Sequence, residues 1–342
     1  MKYNFVLFSV FLFPLSFLKA QSPDSVHQPS LIKFVPVSFS NKFSLNVAPA
    51  LHIYSGDTVS TETIDAMGRD KNGIKRQAGG NPLTGPFFIE GAKPGDVLKI
   101  TLLKVSLNRN YAFTSESFVS RSLPDSIARQ FKKSRLIKWR LDIENSIGYP
   151  DSPVNTYQNL NDFKVPLKPF LGCIGVAPSN KHNEILSFFQ GSFGGNLDFS
   201  RTVSGTTIYL PVFHDGAFFY IGDGHAVQGD GEIAGNALET SLDVDFTVRL
   251  IKSNELQLKN PRVEDSSHIM ATGSGETLDK AIKVATSGLL DWLQKDYHLS
   301  LHEATQVMST TIEYTIAEIA DPEVIVVAKI NRQFLKSLKK YN

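Results

Sequence analysis

The sequence predicts a mainly β protein, of the β-sandwich or barrel-like type, with a smaller α+β part at its C-terminus. Residues 166–250 form a succession of short apolar runs separated by Gly-rich turns, which is typical of antiparallel sheets. Apolar Leu98, Ile100 and Leu102 alternate with Lys99 and Thr101, the period of a half-buried strand. Helical periodicity becomes prominent only beyond residue 275, so we expect one β-rich core followed by a helical elaboration.

The first twenty residues have the organisation of a secretory signal. Lys2 gives a weakly positive start, the apolar run from Phe5 to Leu18 contains Pro14, and the small residue Ala20 closes the segment. A membrane-spanning helix needs about 20 apolar residues, so a signal anchor is the weaker interpretation. We therefore expect residues 1–20 to be a signal peptide removed on export to the periplasm or the exterior, with no membrane contact afterwards.

Changes of composition divide the chain after residue 20 into several predicted parts. Residues 21–45 are predicted to be a lead-in segment containing one strand, Ile32–Phe39. Residues 46–250 are predicted to be the β-rich catalytic core. Residues 108–165 interrupt it as an insertion, with a short helix from Asp125 and an alternating strand over 137–143.

Residues 251–342 are predicted to be an α+β part that packs on the core. Apolar residues recur at spacings of three and four over 276–296, which predicts an amphipathic helix. Ser300 followed by Glu303 is a capping box, which predicts the start of a second helix. Two strands, about 311–319 and 323–330, are expected to close the chain.

Charge and cysteine content exclude several classes of protein. The chain has 35 basic and 34 acidic residues, a net charge of +1 that argues against nucleic acid as a partner. The basic run between Arg121 and Arg140 is interpreted as a solvated surface of the insertion. Cys173 is the only cysteine, so the chain has no intrachain disulfide, and its apolar neighbours favour an inert buried thiol over a nucleophile.

Ionisable residues concentrate between Gly191 and Glu239. Asp223 and His225 stand two residues apart at the end of an apolar run, a spacing that presents a carboxylate and an imidazole to one divalent cation. Asp230 and Glu232 repeat this spacing, and we expect a strand-like backbone to point both into one pocket. A solvated hairpin loop is the simpler interpretation, but the preceding Asn196 and Asp198 favour a site.

Several motifs in this order resemble the acetamidase/formamidase family, from about residue 45 to residue 330. The most specific is Gly222-Asp223-x-His225-Ala226-x-Gln228-Gly229-Asp230-Gly231-Glu232. Others are Thr63-Ile64-Asp65-Ala66, Pro82-Leu83-Thr84-Gly85-Pro86 with Gly91-Ala92-Lys93-Pro94-Gly95-Asp96, Pro169-Phe170-Leu171-Gly172, Gly175-Val176-Ala177-Pro178 and Gly194-Gly195-Asn196-x-Asp198. The chain departs from the family in its exported form, in the 108–165 insertion, and in Asn81, where relatives often have His before the proline.

The resemblance implies an amidase that hydrolyses linear amides such as formamide and acetamide to ammonia and a carboxylate. It also implies a β-rich fold and a bound divalent metal, with zinc the first choice and calcium the second. Within it we assign Asp65, Asp198 and His225 as metal ligands. Asp223 and Asp230 are assigned to a second, structural cation.

Catalytic roles are assigned from the chemistry that amide hydrolysis requires. Glu232 is assigned as general base, with Glu90 as the alternative base, and Asn196 as the group that binds the substrate amide or the developing oxyanion. His214 is left open as a residue facing the substrate or supporting the site. An exported glycoside hydrolase using Asp198 and Glu232, and a non-catalytic ligand-binding module, remain as alternatives. The expected partner is a small amide, and a homodimer is left open.

Overall fold

The computed structural model describes residues 27–131, 135–151 and 158–338. The signal peptide predicted for residues 1–20 lies outside these ranges. Numbered in chain order, the strands of the described ranges up to residue 196 are β1 (Leu31–Lys33), β2 (Lys42–Ser44), β3 (Leu51–Ile53), β4 (Thr58–Glu62), β5 (Leu83–Ile89), β6 (Val97–Leu107), β7 (Tyr111–Ser115), β8 (Leu136–Asp142), β9 (Ile147–Pro150), β10 (Val165–Pro166), β11 (Phe170–Gly175), β12 (Glu184–Leu186), β13 (Gln190–Gly191) and β14 (Gly194–Asn196). The later strands are β15 (Thr207–Pro211), β16 (Phe219–His225), β17 (Glu239–Thr240), β18 (Leu242–Ile251), β19 (Arg262–Glu264), β20 (His268–Gly275), β21 (Ile312–Glu318) and β22 (Val324–Asn331). The helices are α1 (Asp125–Ala128), α2 (Leu278–Asp296) and α3 (Leu301–Thr311), with 3-10 turns at Gln158–Leu160 and Arg332–Leu335.

Two large sheets pack face to face, which confirms the predicted mainly β sandwich. One has the strand order β1-β4-β18-β6-β15-β19-β20-β22-β21, and the other β10-β9-β8-β7-β17-β16-β11-β14-β13, with β5 paired to β16 and β3 to β5. Aromatic side chains join the two layers, because Phe246 of the first sheet contacts Phe87 and Phe219 of the second at ring-centroid distances of 5.2 and 5.4 Å. These rings belong to one buried apolar core.

The C-terminal helices form largely as predicted. Thr277 caps α2 through its side chain, and Ser300 and Glu303 form the predicted capping box of α3. The apolar face of α2 packs on β20 and β22 in a second buried cluster. Gly273 allows this close approach, since a Cβ there would collide with the backbone of Ala281 and Ala285. Within the described residues, none of the helices combines the length and the apolar character needed to cross a bilayer.

The two elaborations share sheets with the core. Strands β19 to β22 continue the first sheet through the pairing of β15 with β19, so the described part of the C-terminal segment, residues 251–338, is joined to the core by backbone hydrogen bonds. The segment predicted to be an insertion, residues 108–165, adds β7 to β10 to the edge of the second sheet beside β17, and we keep the name insertion for it. The first strand is shorter than the predicted Ile32–Phe39, because only Leu31–Lys33 pairs with β4. Both elaborations thereby reach the end of β16 where the ionisable residues cluster.

Candidate active site

A buried group of acidic residues surrounds His225 at the end of β16. Asp223 and His225 point to the same side of this strand, as their spacing predicted, and both are almost fully buried. His225 Nε2 lies 3.5 Å from Asp223 Oδ1 and 3.3 Å from Glu239 Oε2. The same nitrogen lies 3.9 Å from Glu232 Oε1, and Nδ1 lies 3.8 Å from Asp198 Oδ1. One imidazole therefore faces four carboxylates.

The ligand atoms are close enough together to share a cation. Three groups each hold their ligand atoms within 4.8 Å of one another: Asp198, Asp223 and His225; His225, Glu232 and Glu239; and Asp198, Glu232 and Glu318. Several of these atoms are buried without a hydrogen-bond partner, namely Asp198 Oδ1, Asp223 Oδ1, Glu239 Oε2, Glu318 Oε2 and both ring nitrogens of His225. Buried polar atoms in proteins are normally satisfied, so this concentration of unpaired acceptors around one point fits a bound metal ion.

The charge balance of the group also fits a cation. Burial raises the pKa of Asp198 well above its usual value, and the Asp223 carboxylate raises it further. Burial raises the pKa of Glu239 to about 7, although His225 opposes this. Burial disfavours the imidazolium of His225, but Glu239 and Asp223 outweigh it and raise its pKa well above the usual value. In the described ranges these carboxylates form ion pairs with His225 and with no Lys or Arg, so a divalent ion would supply the missing charge.

Amide side chains hold the carboxylates in place. Asn196 Nδ2 donates hydrogen bonds to Asp198 Oδ2 and, at 2.9 Å, to Asp321 Oδ2. Asn81 Nδ2 donates to Asp223 Oδ2 at 2.9 Å and to Asn196 Oδ1 at 3.2 Å. The Cys173 thiol donates to the same Oδ1 at 2.8 Å. Since both ends of the Asn196 amide are engaged inside the cluster, its geometry favours orienting Asp198 over contacting a substrate.

The backbone around the cluster adopts conformations that few side chains tolerate. Asn81, Asp198, Asp223 and Glu232 all have φ between 40° and 55°, in the left-handed region. Such residues persist where surrounding structure holds them, and they concentrate at functional sites. Gly172 on β11 leaves the space that the carboxylates occupy, because a Cβ there would collide with Asp198 Oδ1 and lie 2.8 Å from Asp223 Oδ2.

Three acidic residues of the cluster were not predicted from the sequence. Glu239 begins β17, and its Oε1 accepts a hydrogen bond from the Ala237 amide at 2.9 Å, an amide that Glu232 Oε1 shares at 2.8 Å. Glu318 and Asp321 come from the end of β21 and the following loop. Burial raises the pKa of Asp321 to about 7, and the Glu318 carboxylate adds to this effect. Their approach to the cluster is visible only in the fold, although Glu239 did stand at the end of the segment rich in ionisable residues.

Two predicted metal ligands lie outside this cluster. Asp65 is fully buried, but Arg109 Nη2 approaches its Oδ2 at 2.7 Å as an ion pair, and the Arg69 amide donates to its Oδ1. Asp230 is exposed, because the chain turns over Gly229–Glu232 and breaks the strand-like alternation expected there. The carboxylate that turns inward is Glu232 alone.

The alternative base and the open histidine also lie elsewhere. Glu90 follows the end of β5 that pairs with Phe219 of β16. Phe219 and His225 are six residues apart on that strand, so Glu90 lies roughly 20 Å from His225. Its Oε1 pairs with His52 Nδ1 at 2.7 Å. His214 precedes β16 at that same end and its Nε2 contacts the Pro178 carbonyl oxygen at 2.9 Å.

The thiol of Cys173 is fully buried, and burial raises its pKa well above the usual value, as expected of an inert thiol.

The insertion and the C-terminal part meet over the site. The Val119 amide donates to the Ile233 carbonyl at 2.9 Å, and the Ile319 amide donates to the Gly231 carbonyl at 3.0 Å. Arg121 donates to the carbonyl oxygens of Ile319, Asp321 and Pro322, the last at 2.7 Å. The loop carrying Glu232 and the loop carrying Asp321 are therefore fastened to each other and to the insertion.

The fold and the site together define a β-sandwich protein with a buried carboxylate–imidazole centre. The model of the Acetamidase/Formamidase family matches residues 33–187 and 190–330, so this chain belongs to that family. A formamidase of Methylophilus methylotrophus is 34% identical over 125 residues, which are 35% of this chain and 29% of that protein. A putative formamidase of Schizosaccharomyces pombe is 25% identical over 281 residues, 65% of this chain and 66% of that protein.

The chain thus spans less than two thirds of the length of these curated relatives. A solved structure extends the likeness to nearly the whole fold. The crystal structure of acetamidase from Bacillus halodurans is similar with a TM-score of 0.75 at 27% identity, covering 90% of this chain and 99% of that one. None of these similarities supports the glycoside hydrolase or the ligand-binding module considered from the sequence.

Proposed function

We propose that this protein is a metal-dependent amidase that hydrolyses linear carboxamides to ammonia and a carboxylate. Membership of the Acetamidase/Formamidase family supports the reaction class. The observation that carries the metal dependence is the set of buried, unpartnered ligand atoms around His225. An amide has a weakly electrophilic carbonyl and a poor leaving group, so hydrolysis needs both carbonyl polarisation and proton transfer.

The residues best placed to hold the metal are Asp198, Asp223 and His225. Their oxygens without a hydrogen-bond partner and the His225 imidazole form a mixed oxygen and nitrogen set, which zinc accepts, whereas calcium prefers oxygens alone. Zinc therefore remains the first choice and calcium the second. A divalent ion bound there would polarise the amide carbonyl and lower the pKa of an attacking water. Asp65 and Asp230 have no part in this assignment, because neither reaches the cluster.

Glu232 is the group we assign to proton transfer. Its Oε1 lies 3.9 Å from His225 Nε2, and its carboxylate also borders an open cavity beside the cluster. Burial raises the pKa of Glu232 well above its usual value, and the Asp198 carboxylate raises it further, so the group can both take and return a proton. Water attack releases one proton and departing ammonia needs one, which a single carboxylate can carry from one to the other.

Gln228 is placed to bind the amide group of the substrate. Its Nε2 donates to the carbonyl oxygens of Asp198 and Ala317 at 2.7 and 3.1 Å, which fixes the orientation of the side-chain amide. Its Oε1 is then left as a buried acceptor without a partner, and the residue also lines the cavity. The NH₂ group of a primary amide would satisfy this oxygen.

Metal analysis and ammonia release on one preparation test the proposal. Full-length protein purified without added metal should contain a divalent ion and release ammonia from simple carboxamides. Dialysis against a chelator should abolish ammonia release, and adding back zinc should restore it. Activity that persists after complete metal removal would overturn the metal dependence, whereas no ammonia from any amide tested would overturn the amidase.

We also propose that the protein is exported, on the basis of the apolar run and the small residue Ala20 at the end of the N-terminal segment. The mature chain in its native host should begin at or near Gln21. Mass spectrometry of the N-terminal peptide decides this, and recovery of an intact Met1 would contradict it.

A further inference from the structure

An apolar cavity of about 590 Å³ adjoins the site. Two parts of the chain build its wall. Trp139 and Val165 come from the strands of the insertion, and Val227, Ile233 and Leu238 come from the loop that runs from β16 to β17. The cavity therefore lies between the insertion and the loop that carries Glu232.

Two polar residues of this cavity belong to the proposed catalytic site. Glu232 and Gln228, assigned above to proton transfer and amide binding, both line it. Thr114 and Asn236 are hydrogen-bonded to each other, because Thr114 Oγ1 donates to the Asn236 backbone carbonyl at 3.0 Å. Lys168 also lines the cavity. The rest of the wall is mainly apolar, so a ligand there would meet these polar groups and a broad apolar surface.

The volume of the cavity favours amides with a larger acyl group over formamide and acetamide. Formamide and acetamide have only a few heavy atoms, whereas pockets of about 300–1,000 Å³ accommodate drug-sized ligands. A primary amide bound at Gln228 and Glu232 would leave most of this cavity unfilled if its acyl group were a hydrogen or a methyl. Burying apolar surface in such a wall stabilises the complex in proportion to the area covered.

We propose that the substrate is a carboxamide with an apolar acyl group larger than a methyl, a medium-chain aliphatic or aromatic amide whose acyl group packs against Trp139 and Val165. This specificity rests on the proposed amidase function and adds the substrate class to it. The insertion then has a role, since it supplies the part of the apolar wall that the loop after β16 does not provide.

A series of amides tests the specificity. The values of kcat/KM should rise from formamide and acetamide to hexanamide and benzamide, by about fourfold per buried methylene group. Trp139→Ala should lower kcat/KM for hexanamide by about tenfold or more and lower that for acetamide by a clearly smaller factor, because a methyl group covers little of the wall. Ala234→Leu, which adds volume to the lining, should act in the same direction.

Leu136→Ala is the matched control. Leu136 belongs to the same strand as Trp139, but it is 50% exposed and lies on the opposite face, outside the cavity. This variant should leave the whole series unchanged. A fall in activity with Leu136→Ala equal to that with Trp139→Ala would show that β8 acts through stability alone, and it would overturn the proposal.

Calorimetric binding of hexanamide separates this proposal from the amidase itself. Turnover of acetamide together with equal or poorer turnover of hexanamide overturns the specificity and leaves the amidase standing. If no amide is hydrolysed but hexanamide binds in a manner that depends on Trp139, the apolar ligand class stands and the amidase fails. Absence of both hexanamide binding and its turnover overturns the inference.

Discussion

Asn196 Nδ2 donates a hydrogen bond to Asp321 Oδ2 at 2.9 Å, across 125 residues of sequence. The donor lies on β14 of one sheet, and the acceptor lies in the loop after β21 of the other. The same Nδ2 also donates to Asp198, so this amide connects a proposed metal ligand to the C-terminal part of the chain. The position of the C-terminal loop and the geometry of the site are therefore coupled.

Arg121→Ala should weaken catalysis by releasing this loop. Arg121 holds three carbonyl oxygens of residues 319–322, and a shift of the loop would move Asp321 away from Asn196. Small misplacements of catalytic groups can cost up to about 100-fold, so we expect kcat to fall by about 10- to 100-fold at unchanged melting temperature. Arg129→Ala is the control and should keep wild-type kcat, because Arg129 is exposed and its ion pair among the described residues is with Asp125, one helical turn away. Wild-type kcat in both variants would mean that other contacts hold the loop.

His225→Ala should remove the bound metal. The ring nitrogens of His225 are the nitrogen ligands of the proposed site, and the four carboxylates around it would lose their shared partner. Metal content measured by mass spectrometry should fall to background together with ammonia release. His214→Ala, which removes an imidazole near the opposite end of β16, should keep full metal content. Full metal occupancy in the His225 variant contradicts the ligand assignment.

Glu232→Gln should slow the reaction without removing the metal. Gln keeps the shape of the side chain but cannot accept a proton, and general-base catalysis contributes about 10²–10⁴-fold. We expect kcat to fall by about that factor at normal metal content. Asp230→Asn changes an exposed carboxylate on the same loop and should leave kcat unchanged. Loss of metal from the Gln variant would instead make Glu232 a ligand, and wild-type kcat would remove it from the mechanism.

Asp65→Ala should destabilise the fold. Asp65 and Arg109 are both buried, and removing one partner of a buried ion pair typically costs about 3–5 kcal/mol because the other charge remains uncompensated. Denaturant unfolding should show a loss of that order. The exposed pair of Asp125 and Arg129 provides the comparison, and Asp125→Ala should change the free energy of unfolding by no more than about 0.5 kcal/mol. Equal effects of the two substitutions would contradict the importance of the buried pair.

Asp265 should make stability depend on pH in the acidic range. Burial opposes ionisation of its carboxyl, but hydrogen bonds from Ser267, Arg201 and the His268 amide outweigh this and lower the pKa to about 2. A lowered folded-state pKa means that the carboxylate stabilises the protein above its unfolded pKa near 4 and that this contribution is lost as the pH falls towards 2. We expect Asp265→Asn to cost about 1–2 kcal/mol at pH 6, after allowance for solvent screening. The difference from wild type should shrink steadily as the pH falls from 4 through 2, and a difference that stays constant over this range would refute the assignment.

Periodicity in the sequence was sufficient to predict the secondary structure at several places. The helix over 276–296 and the capping box at Ser300 depend on contacts between residues a few positions apart, and both formed as predicted. The same holds for Asp223 and His225, because alternation along a single strand puts them on one side. The motifs of the resemblance likewise indicated the family that the comparison then showed.

The remaining acids of the site were decided by tertiary structure. Asp230 and Glu232 have the same spacing as Asp223 and His225, but the turn over Gly229–Glu232 sends one outward and the other inward, and two-residue spacing predicts a shared face only where the backbone is extended. Glu318 and Asp321 reach the cluster because β19 to β22 continue the sheet of the core. The sequence alone determined the elements and the types of ligand residue. Strand order and turn conformation decided which carboxylates meet, since these contacts join residues far apart in the chain and depend on how the sheets pair and pack.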